Sequence, residues 1–246
     1  MDITDRHILE DVFFHLQPDY VIHLAALARV QPSIKDPMKY HRHNVDGTLN
    51  VLWCSHKHGV KKVVLASSSS VYGEGDIPAK ENQRLFPMSP YAYNKQIDEI
   101  LADMFAYVYG LSTICFRFFN VYGKNMLQGQ YGTVMTAFID KVKKGEPLVI
   151  HNDGEQRRAF TYVGDIVNGL ILGMKSEWIG NYNLGSSKNY SVNQIADLIA
   201  GKDHPRVYKT GIVEPFETLA GNSKAKRDLD WKPKGKLKKK IGEIWS

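Results

Sequence analysis

Cysteine is almost missing from this chain: Cys54 and Cys115 are the only two in 246 residues, each inside an apolar run and neither at metal or redox spacing. That excludes a disulfide scaffold and points to a reducing compartment, so a cytoplasmic location is expected. No stretch approaches the roughly 18 consecutive apolar residues of a membrane span. The opening string M-D-I-T-D-R-H has no apolar centre, so no signal peptide is expected. Nine histidines are scattered, and His41 with His43 has the wrong spacing for one helix face, so no metal site is expected. Internal repeats and low-complexity linkers are also lacking.

Ordinary globular material is present: 43% apolar and 24% charged residues, enough for a full core. The net charge of +6 is concentrated between Lys224 and Lys240. No aromatic-interleaved basic groove accompanies it. The stretch reads as a solvated basic helix face and loop, and no nucleic-acid partner is expected. A mild basic excess also suits a phosphate-bearing small substrate.

Strand and helix patterns alternate. Asp19 to Ala26 reads as a buried strand, Pro37 to His58 as a helix stopped at Gly59, and Val60 to Ser67 as a second strand. Pro90 to Tyr109 is a long helix with Pro90 at its start and Gly110 past its end, followed by a strand over Leu111 to Phe119. Helices are predicted over Tyr131–Lys144, Thr161–Met174 and Ser191–Ala200, with short strands over Pro147–His151 and Asn181–Leu184. Such alternation predicts an α/β fold with a parallel, Rossmann-like sheet. The looser C-terminal part predicts a smaller lobe. The expected division is 1–123 with 161–185 returning to it, against 124–160 with 186–246.

Two strings carry chemistry. In Y-A-Y-N-K, Tyr91 and Lys95 are four apart at a helix start and share a face. A phenol ionises near pH 10, so acting as a base at neutral pH takes help worth roughly 4 kcal/mol, at 1.36 kcal/mol per unit. A nearby ammonium supplies part of that. The run S-S-S-S-V-Y-G (Ser67 to Gly73) follows a buried strand, at the edge where open α/β sheets bind ligands. A hydroxyl there can hydrogen-bond the substrate oxygen that Tyr91 deprotonates.

Taken with D-I-T-D (Asp2), H-L-A-A (His23), N-V-D-G-T-L-N-V-L (Asn44), F-R-F-F-N-V-Y-G (Phe116), D-G-E-Q-R-R-A-F-T-Y-V (Asp153), Y-N-L-G (Tyr182) and N-S-K-A-K (Asn222), these strings run in the order of one family. The chain resembles the extended short-chain dehydrogenase/reductases, and within them the NAD-dependent nucleotide-sugar epimerases and dehydratases, UDP-glucose 4-epimerase-like. The resemblance implies an isomerase with NAD as cofactor and a nucleotide-sugar, UDP-linked, as substrate. It implies Ser68, Tyr91 and Lys95 as catalytic residues, with Tyr91 and Lys95 also touching the cofactor. Asp2 and Ile3 match an adenine contact, Leu24, Ala25 and Ala26 the loop over cofactor phosphates and ribose, and Asn44 the asparagine that supports that loop. Asn120, Val134, His151 and Arg158 match substrate contacts, Arg158 as the phosphate grip. Helices 37–58 and 90–109 match those that pair in a homodimer's four-helix bundle.

The Ser run separates reactions within the resemblance. Related 4,6-dehydratases carry an acidic residue where this chain has Ser70, so a 4-epimerase is expected over a dehydratase. The family's glycine-rich strand–turn–helix, which holds the pyrophosphate, has no match in this sequence. The expectation is therefore an N-terminally truncated sheet with an exposed edge. Another copy, a separate N-terminal polypeptide or nothing would cover it. The matching alternative is a nucleotide-sugar-binding protein without redox chemistry. Further departures are Arg158-Ala159-Phe160 for the family's R-D-F, Gly164-Asp165 for its Asp-Asp, and no second phosphate-binding arginine in Lys209–Leu219.

Overall fold

The computed structural model describes residues 1–127, 129, 132–211 and 215–245. The chain runs α1 (Arg6–Leu16), β1 (Tyr20–His23), α2 (Val30–Lys35), α3 (Pro37–His41), a π-helical turn (Arg42–Asp46), α4 (Gly47–Lys57) and β2 (Lys62–Ser68). It continues through α5 (Pro90–Tyr109), β3 (Thr113–Phe118), β4 (Val121–Tyr122), α6 (Val134–Lys143), β5 (Leu148–His151), β6 (Arg157–Arg158), β7 (Thr161–Tyr162) and α7 (Val163–Lys175). Last come β8 (Gly180–Leu184), β9 (Tyr190–Ser191), α8 (Val192–Ala200), β10 (Arg206–Lys209), α9 (Ser223–Leu229) and α10 (Leu237–Lys240).

Four strands form one parallel sheet in the order β1-β2-β3-β8, the α/β architecture the alternation predicts. The two-residue period of a strand sends alternate side chains to opposite faces. Val63, Leu65 and Cys115 therefore pack with α1, α4 and α5 residues such as Phe13, Leu52 and Phe105. Val64, Ile114 and Phe116 pack on the other face with Leu170 of α7, Leu229 and Trp231. A separate cluster gathers Phe138 and Ile139 of α6, Ile150 of β5, and Ile195 and Ile199 of α8.

Boundaries shift for local reasons. The first strand is shorter than Asp19–Ala26, because its ladder with β2 ends at His23, leaving Leu24, Ala25 and Ala26 exposed beyond the strand end. The helix predicted over Pro37–His58 is three helical pieces joined at Arg42–Asp46. Thr161 and Tyr162 pair with β4, so that helix begins at Val163. The sixth helix begins at Val134, capped by Thr133; the predicted start, Tyr131, lies outside the described residues. Helix α5 has the predicted bounds. Ser89 accepts from Ala92 N, Pro90 opens the first turn, and Gly110 closes the helix at φ +68°, where a side chain would be strained.

Candidate functional site

The site forms where β2 and β3 end and α5 begins. Ser68 terminates β2 and caps the turn after it, its Oγ accepting from Ser70 N at 3.2 Å and Ser70 Oγ at 2.9 Å. Tyr91 occupies the first turn of α5, and its backbone N–H donates to Ser33 Oγ at 3.2 Å, tying the helix start to α2. Behind them the sheet is braced by a buried ion pair. Arg117 grips Glu99 with Nε and Nη2 at 2.9 and 2.7 Å and reaches Tyr72 Oη at 2.8 Å. Burial pushes the Tyr72 phenol up to about 12, so Tyr72 stays a neutral strut.

Ser68, Tyr91, Asn120 and Arg158 line one cavity of about 630 Å³. It shares Asn120, Thr133 and Arg158 with a second of about 480 Å³, whose walls include Val134 and His151. These volumes fall in the range of small-molecule sites, roughly 300–1,000 Å³. All the sequence-expected substrate residues thus border one continuous cleft. Asn120 stands there at φ +34°, a conformation asparagine tolerates better than most residues. Arg158 donates from Nη1 to the carbonyls of Arg157 and Phe216 at 3.0 and 3.2 Å, which orients its guanidinium. Lys209 lies opposite His151 in the β5–β10 ladder, while residues 212–214 of the Lys209–Leu219 stretch lie outside the described residues.

Lys95 is behind this wall rather than in it. Its ammonium is buried and bonds Asp98 Oδ2 at 3.1 Å. Burial works against the Lys95 charge, yet Asp98 and Tyr91 together outweigh it and hold its pKa above the usual value. Burial likewise raises Asp98, to about 6, with Lys95 pulling the other way. Next to this pair, His23 Nε2 lies 3.0 Å from Thr48 Oγ1. Burial, then the Lys95 charge, pushes His23 down to about 4, so it is neutral at physiological pH.

The expected cofactor residues cluster around the β1 end and α4. Asn44, placed by the π-helical turn, clamps Leu27: its Oδ1 accepts from Leu27 N at 2.7 Å and its Nδ2 donates to Leu27 O at 2.9 Å. This brace shapes the exposed segment Leu24–Ala26. Asp2 Oδ1 accepts from Thr4 N at 2.9 Å, and Asn50 Nδ2 holds the Ile3 carbonyl at 3.0 Å. The Ile3 side chain lies so close to Gly47 that a Cβ there would come within 2.6 Å of Ile3 Cδ1. The braced 24–27 loop with buried Lys95 beside Tyr91 fits the nicotinamide–ribose end of NAD. The sequence offers no glycine-rich turn for the pyrophosphate.

Two residues were not singled out from sequence. Arg29 borders both cavities, with φ +103° and an electrostatic interaction with Tyr91. Asp98 supports Lys95. Lys95 and Asp98 share a helix face at i, i+3, a visible signal for Asp98; Arg29 has none beyond following the strand.

The NAD dependent epimerase/dehydratase family matches residues 1–185. A UDP-glucuronate 4-epimerase of Thermodesulfobacterium geofontis is 38% identical over 95% of this chain and 73% of its own length. Among solved structures, UDP-glucose 4-epimerase of Thermotoga maritima with UDP-glucose superposes with TM-score 0.96 at 32% identity, over 100% of this chain and 82% of that one. The Thermus thermophilus UDP-glucose 4-epimerase complex with NAD gives TM-score 0.91 at 28% identity, over 100% and 81%.

Proposed function

The chain belongs to the NAD-dependent epimerase/dehydratase family, and from that premise we propose that it interconverts UDP-sugars epimeric at C4. The observation that carries this reading is that Tyr91, Ser68, Asn120 and Arg158 border one cavity. Held by the braced Leu24–Ala26 loop and Lys95, NAD would supply a reversible hydride acceptor for C4. The remaining work falls to this chain's side chains. The Tyr91 phenolate takes the proton of the C4 hydroxyl and later gives it back, with the Ser68 hydroxyl bonded to the same oxygen. Lys95 contributes a cation that favours the phenolate. Arg158 and Asn120 grip the diphosphate and Val134 and His151 flank the nucleoside, so the sugar can turn while its anchor stays fixed. The described lining holds no Asp or Glu, hence no carboxylate to draw a proton from C5 as a 4,6-dehydratase needs.

The same reading includes a homodimer through α3–α4 and α5, a cytoplasmic location, and a two-lobed division of 1–123 with 161–185 against 124–160 with 186–246. β1 has a partner on one side only among the described strands. A segment bearing a glycine-rich turn would pair along that edge and hold the pyrophosphate.

Calorimetry with UDP and with NAD, followed by turnover of UDP-glucose with added NAD, tests the proposal. UDP binding with turnover is the expected result. UDP binding without NAD binding or turnover favours the non-redox binding protein, and no UDP binding sinks both.

A further inference from the structure

Tyr91, Lys95 and Asp98 stand at i, i+4 and i+7 of α5, one inward stripe of the helix. Asp98 borders neither cavity, and both it and Lys95 are about 4–5% exposed at the side chain. A carboxylate this deep costs several kcal/mol unless it is paired, so its position next to the catalytic lysine calls for a role. Its Oδ2 accepts from Lys95, and the Thr48 hydroxyl, which also meets His23, is the further hydrogen-bonding group that favours its charged form.

We propose that Asp98 is the positioning residue for Lys95: it anchors the ammonium, keeps it charged inside the fold, and thereby sets the cation that acts on Tyr91. The proposal rests on the catalytic reading of Tyr91 and Lys95. An ammonium has three N–H donors, and Asp98 takes one, which fixes the direction of the other two. Without a carboxylate, burial would favour the neutral amine and the cation beside the phenol would be lost. The groups around Asp98 are Lys95, Tyr91 and Glu99 on its own helix, Thr48 of α4 with His23 of β1 behind it, and Cys115 of β3. His23 and Cys115 are neutral near pH 6, so Lys95 and Glu99 are the charges that face Asp98 there. Burial places Asp98's own titration at about pH 6, which makes the anchor pH-dependent.

The test follows the Lys95 Nζ resonance by NMR, assigned with Lys95→Arg. In the unaltered protein it inflects near pH 6 as Asp98 titrates, and in Asp98→Asn the Lys95 deprotonation midpoint falls by at least one pH unit, a tenfold change. Asp98→Glu keeps the charge and restores the midpoint in part. A resonance flat from pH 5 to 7.5 in the unaltered protein, or an unmoved midpoint in a folded Asp98→Asn, overturns the proposal. The first readout needs no Asp98 variant, so a failure of Asp98→Asn to fold leaves it decisive. Neither needs turnover, so failure of the epimerase reading is scored separately.

Discussion

Arg29 occupies backbone that is close to glycine-only, φ +103° and ψ +134°. Such a conformation costs on the order of 1–3 kcal/mol in a residue with a Cβ. It is held at the junction of the two cavities beside Tyr91, the kind of place where strain is retained for function. Arg29→Gly is therefore expected to stabilise the fold, by about 1 kcal/mol after the roughly 0.5–1 kcal/mol entropy cost of glycine. For a chain of this size that raises Tm by about 2–4 °C. The same change removes a cation from the cleft and should weaken UDP-sugar binding about tenfold, the effect of losing one hydrogen bond to a charged group. Thermal denaturation and calorimetry read the two together; a lower Tm with unchanged affinity would refute the account. His23 makes a second prediction. Its folded pKa of about 4 lies below the open-chain 6.5. A depressed histidine stabilises above pH 6.5 and loses that contribution as pH falls through 4. Asp98, raised to about 6, has the opposite sign: its contribution is present below 3.8 and lost as pH rises through 6. Each amounts to about 3 kcal/mol at 1.36 kcal/mol per unit, so they largely cancel between pH 4 and 6. His23→Gln, which keeps a hydrogen-bonding group toward Thr48, removes one of them. The difference in unfolding free energy between variant and parent should move by about 3 kcal/mol in the variant's favour from pH 7 to pH 4. Urea titrations at the two pH values check it, and a pH-independent difference rules it out.

At the scale of elements, legibility followed how local the signal was. Helix α5 could be bounded from sequence because Ser89, Pro90 and Gly110 act within one turn of its ends. Strand β2 begins two residues later than its apolar run, since Val60 N closes the end of α4 on Ser55 O instead of joining the ladder. Leu24–Ala26 look like strand continuation because small apolar residues suit a buried strand. Whether they pair depends on β2, which is forty residues away, and the ladder stops at His23. The π-helical turn at Arg42–Asp46 has no sequence mark of its own, yet it presents Asn44 to Leu27. Helix α1 carries a legible mark, Asp5 accepting from His7 and Ile8 ahead of Leu9 and Phe13 at helical spacing, but the D-I-T-D string beside it suggested a cofactor contact. In the candidate site, Ser68, Tyr91, Asn120 and Arg158 each sit in a recognisable string and line one cavity, whereas Val134 and His151 lie outside those strings and border the second. Arg29 and the Lys95–Asp98 contact depend on how β1, α4 and α5 come together, which is tertiary information.

For the whole molecule, the outer face of α5 is the informative surface. Tyr93, Ile100 and Tyr107 are spaced seven apart and are 55%, 58% and 90% exposed. Seven residues are nearly two full helical turns, so the three side chains form one straight apolar stripe. Leu49 of α4, 39% exposed, adds to the apolar surface of the neighbouring helix. Scattered single apolar residues need no explanation, but an aligned stripe along α5 with Leu49 exposed on the neighbouring helix does. A second copy related by a two-fold axis would bring each stripe against its own equivalent, an isologous contact that closes after two chains. The face must bury on the order of 1,000 Å² or more in total to hold such a dimer. Light scattering should give a mass of twice 27.9 kDa for the unaltered chain. Ile100→Glu puts two facing carboxylates at the middle of the stripe, where desolvation and like-charge repulsion both oppose association. It should shift the mass to that of one chain with little change in Tm measured at low concentration, because Ile100 makes no contribution to the buried core. A monomeric unaltered protein would remove the basis for the dimer, and an Ile100→Glu protein still at twice the mass would move the interface elsewhere.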